Sequence, residues 1–140
     1  MGSEMCIRDS LYAIHDSDDD YHKRVQNVFS LLPSNAELLL PTVVLVEVAY
    51  LVHAKIGYYA IPFYMEKIKQ SPFNFEYIVE DDLERIQALM KQYQDAELDF
   101  VDTAIVAMAE RLNVRHILTV DQRDFRIIRP HHCNHFELWP

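Results

Sequence analysis

Apolar residues recur at helical spacing at Val25, Val28, Phe29 and Leu32, which predicts an amphipathic helix over about residues 21–32. The acidic turn from Asp16 to Asp20 supplies its cap, and Pro33-Ser34-Asn35 ends it. Glu37-Leu38-Leu39-Leu40 reads as a short buried strand. Pro41-Thr42 opens a second helix, with Thr42 as N-cap, that runs to about Ile56 and stops at Gly57. A third helix covers about Ile61 to Gln70, with Pro62 tolerated in its first turn and Ser71-Pro72 as the break. Phe75 to Val79 is β-rich. Glu80, Asp81 and Asp82 suit the first turn of a fourth helix, whose core face is Leu83, Ile86, Leu89, Met90 and Tyr93. After the polar connection Gln94 to Glu97, a fifth helix spans about Phe100 to Leu112 and ends at Asn113. His116 to Val120 is a buried strand, and Phe125 to Arg129 and Phe136 to Trp139 read as the last strands. Helices alternating with strands predict an α/β domain around a mainly parallel sheet.

Residues 11–140 show no repeat, low-complexity segment or linker and read as one domain. Leu11-Tyr12-Ala13-Ile14 fits a strand end or a helical turn. The first ten residues, MGSEMCIRDS, have neither the alternation nor the apolar run of a strand. They stand apart as an atypical N-terminal segment, an artefact or a truncated first strand.

Composition narrows the class. The chain has 140 residues and is 50% apolar, enough for one full core. A net charge of −9 argues against a general polyanion-binding surface. It leaves room for an acidic site that reaches phosphate through bound metal. Cys6 and Cys133 are the only cysteines; a pair between them is one reading, and a reduced, cytoplasmic protein the simpler one. No apolar run approaches the roughly 20 residues of a membrane span. The N-terminus lacks a basic-then-apolar leader.

Three carboxylates occupy positions that are costly for a charge. Glu47 lies inside the apolar run Val43 to Leu51, Asp102 opens the stretch Thr103 to Ala109, and Asp121 directly follows His116 to Val120. Lone buried carboxylates are rare because desolvation is expensive, so a shared cation is the simplest account. All-oxygen donors point to a hard divalent ion. Asp99, three residues before Asp102, either shares its helix face or caps the helix. Each acid alone has a plainer reading: a dipole partner for Asp102, a turn former for Asp121, a partly exposed helix face or an ion pair for Glu47.

Three segments carry a likeness: Pro41 to Tyr50, Leu98 to Ala107, and Ile117 to Phe125. In this order the chain resembles the PIN-domain metal-dependent nucleases, and among them the VapC-type ribonuclease toxins of bacterial toxin–antitoxin pairs. The resemblance implies a three-layer sandwich with a central, mainly parallel sheet flanked by helices. It implies an acidic pocket holding Mg2+ or Mn2+, with Glu47 and Asp102 as metal ligands and Asp121 as a direct or outer ligand. Asp99 would orient water, and Thr119 would donate to a carboxylate or a phosphate. The implied activity is hydrolysis of RNA phosphodiesters. The implied partners are the RNA substrate, a small antitoxin and a second copy of the chain. The family's first strand ends in an Asp, usually followed by Thr or Ser; Ile7 falls at that place, and Asp9-Ser10 would replace the pair only with a local shift of two residues. Two other readings follow: a PIN-fold binding module that lacks the first acidic ligand and cannot cut, and a metal-dependent phosphatase or DNA nuclease.

Substrate positioning needs cations, for which Arg123, Arg126, Arg129, Lys55, Lys67 and Lys69 are candidates. Arg126 and Arg129 read more simply as a solvated strand edge. The tail His131-His132-Cys133-Asn134-His135 reads as a polar loop, because zinc would need a second ligand cluster. Tyr58, Tyr59, Phe63 and Tyr64 suit core or dimer packing.

Overall fold

The computed structural model describes residues 3–6, 12, 16, 18 and 20–139. Its strands are β1 (Ser3–Cys6), β2 (Glu37–Pro41), β3 (Phe73–Glu76), β4 (His116–Leu118) and β5 (Glu137–Trp139). Its helices are α1 (His22–Leu31), α2 (Val43–Lys55), α3 (Ile61–Gln70), α4 (Glu80–Gln92), α5 (Phe100–Leu112) and α6 (Arg123–Ile127). The sheet order is β3-β2-β1-β4-β5 and every pairing is parallel. Helices flank this sheet in the expected three-layer α/β arrangement. Among the described residues no helix is long and apolar enough to cross a membrane.

The N-terminal segment departs from its sequence pattern. Ser3–Cys6 is the middle strand, with Met5 opposite Leu39 on one side and Ile117 on the other. A strand paired on both sides is held by backbone groups that almost every residue offers, so side-chain pattern is a weak guide to it. Met5 is fully buried in the core cluster that also holds Leu39, Ile105 and Ile117. Ile7, Asp9, Ser10 and most of Leu11 to Ile14 lie outside the described residues. Tyr12 is helical and buried, its ring stacked on Tyr64 at 5.8 Å.

The stops at Gly57 and Asn113 follow the capping chemistry, whereas the N-cap of α1 is Tyr21 rather than an acidic-turn residue and neither it nor Thr42 at α2 makes a side-chain cap bond. Gly57 ends the turn after α2 at φ +147°, where a Cβ would come within 2.8 Å of the Tyr59 ring. Asn113 ends α5 at φ 55°, a conformation its short amide tolerates. Three expectations are corrected. The strand expected at Phe125 to Arg129 is the helix α6: Phe125 and Ile128 are buried while Ile127 and Arg129 are exposed, a helical rather than a two-residue period. β3 begins at Phe73, two residues before the β-rich segment. On α4 only Ile86 and Leu89 of the expected core face are fully buried; Leu83 and Met90 are exposed.

Two ion pairs bind α4 to α5. Arg85 grips Glu110 through two bonds of 2.7 and 3.0 Å, and Arg111 grips the buried Asp82 at 3.0 and 3.1 Å. Asp82 also accepts from the Val79 amide at the start of α4, and Glu110 accepts from the His131 amide. Arg85 and the His131 amide hold the Glu110 carboxyl below its ordinary pKa against the opposing effect of burial.

If β1 is the middle of the sheet, Met5→Ala leaves a core void and destabilises the fold by about 2–4 kcal/mol. Urea unfolding measures this; a midpoint unchanged from the parent would place Met5 outside the core.

Candidate acidic active site

A parallel sheet sends all its carboxyl ends to one side, and the acidic residues lie on the segments that leave there. Glu47 is about one turn into α2, which follows β2. Asp124 is in the first turn of α6, which follows β4 across the Thr119–Gln122 turn. Asp102 is in the first turn of α5, and Asp99 is its N-cap, with its carboxylate accepting from the Val101 amide at 3.1 Å.

Asp102 is where these elements meet. Burial, a hydrogen bond to Asp124 and the charges of Asp99, Asp124 and Glu47 push its carboxyl from the ordinary 3.8 up to about 8. That shift favours a proton on Asp102 within hydrogen-bond reach of Asp124. Asp124 is itself buried and accepts from the Asp99 amide at 3.2 Å and from Arg123 Nη1 at 3.2 Å. The structure thus brings together Glu47, Asp99 and Asp102 of the sequence candidates and adds Asp124.

Asp121 and Thr119 take other places. Asp121 is exposed, and its Oδ1 accepts from the Arg123 amide at 3.3 Å. Thr119 is buried, and its hydroxyl donates to the Asp121 carbonyl at 2.8 Å rather than to a carboxylate. Both shape the turn between β4 and α6. Asp9 lies outside the described residues. Asp124 was hidden by reading its segment as a strand; as the first turn of a helix after Asp121, it is directed into the pocket. The sequence signal for that helix is the helical spacing of Phe125 and Ile128, three residues apart.

The donor set fits a hard cation. It is all carboxylate, and the charges of Asp99, Asp124 and Glu47 add to burial in making the negative form of Asp102 unfavourable, which a bound cation would relieve. Among the described residues no three His, Cys, Asp or Glu side chains stand close enough to hold a metal as they are. The carboxylates would have to draw together to coordinate one.

The cationic candidates divide. Arg123 spans Asp124 and the Ala96 carbonyl at 3.0 Å. Arg126 donates to Gln122 Oε1 at 2.6 Å, on a helix rather than a strand edge. Lys55 lies over the Tyr12 ring, Lys67 over Phe63, and Lys69 pairs with Glu66. In the tail His132 Nε2 donates to the Val114 carbonyl at 2.6 Å, as part of a polar loop. Of the aromatic cluster only Tyr64 is in the core, whereas Tyr58, Tyr59 and Phe63 are exposed.

A parallel five-stranded sheet with carboxylates gathered beside its carboxyl ends defines the class, an α/β domain with an acidic pocket. Residues 10–129 match the PIN domain family, and the chain belongs to it. It is similar to Ribonuclease VapC26 of Mycobacterium tuberculosis, with 27% identity over 122 residues, 86% of this chain and 88% of that protein. The fold is similar to that of M. tuberculosis VapC20, described as a Sarcin-Ricin loop cleaving toxin, with a TM-score of 0.79 and 17% identity over 94% of this chain and 98% of that one. Rickettsia felis VapBC2, solved bound to a DNA fragment from its promoter, has a TM-score of 0.73 and 17% identity over 98% of both chains. A toxin–antitoxin complex from Klebsiella pneumoniae has a TM-score of 0.60 and 18% identity over 89% of this chain and 90% of that one.

The raised carboxyl has a stability signature. The folded chain keeps a proton on Asp102 that the unfolded chain releases near pH 3.8, so this group lowers stability progressively from about pH 3.8 to about pH 8. Asp102→Asn removes the penalty. With EDTA present, the variant's melting temperature should exceed the parent's by a margin that widens across this window and levels off above it. A margin independent of pH would show that Asp102 ionises normally.

Proposed function

We propose that this chain is a metal-dependent endoribonuclease, the toxin of a type II toxin–antitoxin pair acting in the cytoplasm. The observation that carries the reading is the half-buried Asp102 pressed by three other carboxylates at the carboxyl ends of a parallel sheet. The similarity to the VapC proteins supports it.

Glu47, Asp102 and Asp124 would hold Mg2+ or Mn2+, with Asp121 on the exposed turn as an outer ligand and Asp9, three residues after Cys6 in the sequence, as a further candidate. Such an ion, when bound, supplies an activated water and charge stabilisation at the attacked phosphate. The chain's own residues set the stage. Asp99 fixes the start of α5 and so the position of Asp102. Arg123 holds Asp124 in place, and Thr119 keeps the Asp121 turn closed. Val46, Tyr50, Tyr58, Tyr59 and Phe63 are exposed apolar residues on α2, α3 and the turn between them. They suit burial by an antitoxin or a second copy of the chain.

The second reading, a PIN-fold binding module that cannot cut, rests on Ile7 at the place where the family has its first Asp. RNA cleavage with Mg2+ or Mn2+, with and without EDTA, separates the two. The parent should cut only with metal, Asp102→Asn should fall to the EDTA background, and Asp121→Asn should lose about 10–100-fold, as an outer-shell change does. Cleavage unchanged in Asp102→Asn would reject its role. A parent that binds RNA without cutting it in either metal would favour the module.

A further inference from the structure

Apart from the acidic pocket, a cleft of about 420 Å³ opens between α6 and the sheet edge at β5, within the size range of ligand sites. Gln122, Arg126, His135, Glu137 and Trp139 line it around the buried ring of Phe136. Its Gln122–Trp139 end meets the turn that carries Asp121. Gln122 follows Asp121 in the chain, and the Thr119 amide donates to the Trp139 carbonyl at 2.6 Å. A strand of substrate leaving the acidic pocket on this side would run into the cleft.

Its chemistry is selective. Arg126 is exposed, spends one bond on Gln122, and pairs with no carboxylate among the described residues. A guanidinium keeps further donors in a fixed fork that suits phosphate. The acid on the wall, Glu137, is taken up by His116 at 2.9 Å. The half-buried Trp139 indole stacks on the His116 ring, centroids 5.8 Å apart and planes 13° apart. An aromatic face beside a cation is how single-stranded nucleic acid is held without sequence readout. In a chain of net charge −9, such a local device has to offset general repulsion of a polyanion.

We propose that this cleft seats a nucleotide of single-stranded RNA flanking the one that is cut, its base against Trp139 and its phosphate on Arg126. The proposal rests on the ribonuclease reading of the acidic pocket, but its test is separate. Trp139 is the only tryptophan in the chain, so its emission reports the cleft alone. Asp102→Asn protein in magnesium buffer, where RNA should stay intact, is titrated with a short single-stranded oligoribonucleotide. Anisotropy of a labelled oligonucleotide follows binding anywhere on the protein, and an unlabelled one is used for Trp139 emission.

The emission should be quenched over the same concentration range as the anisotropy rises. Adding Arg126→Ala should weaken binding about tenfold and flatten the log K against log salt slope by about 0.7, one phosphate contact. Trp139→Leu should also lose about tenfold and Trp139→Phe little, because stacking needs only an aromatic face; circular dichroism checks that each variant is folded. A rise in anisotropy with unchanged emission, or Arg126→Ala binding like its parent, overturns the cleft and leaves the ribonuclease reading standing. No binding by anisotropy overturns both.

Discussion

Parallel pairing of all five strands is the constraint on which the site depends. It fixes the direction of every strand and hence the side on which the chain leaves the sheet. Helix starts and turns then crowd that side, and they are where short acidic side chains favour caps and dipoles. Asp99 illustrates the overlap: the carboxylate that caps α5 also acts on Asp102. A residue placed for local helix chemistry thereby contributes to a shared electrostatic field.

That field is unfavourable by construction. Burial, reinforced by Asp124, Asp99 and Glu47, pushes the Asp102 carboxyl up to about 8. Functional sites commonly store such unfavourable charge, and the rest of the fold must outweigh it. Here the weight is carried by a core that joins the central strands to α2 and α5 through Met5, Val48, Ile105 and Ile117.

Helices with clear stops were legible in the chain. Phe100–Leu112 and Ile61–Gln70 fall where caps and breakers put them, because Asn113, Pro62 and Ser71-Pro72 act locally. What escaped was set by distant partners. β1 is a strand because β2 and β4 lie on either side of it, which no pattern within MGSEMCIRDS encodes. α6 is short enough that Phe125, Ile127 and Arg129 mimic a strand until burial tells them apart. The site suffered the same way: Glu47 and Asp102 stood out because apolar residues surround them, whereas Asp124 closes the polar run Asp121-Gln122-Arg123. Only the turn after β4 directs it inward.

The grip between α4 and α5 bears on how the pocket can respond to charge. Glu110 and Arg111 lie two turns beyond Asp102 on one rigid rod, roughly 12 Å along its axis, and each is forked to a partner on α4. With its far end bolted in this way, α5 has little freedom to slide or pivot and carry its acid out of the crowd. A proton or a bound cation eases the pocket without asking that rod to shift.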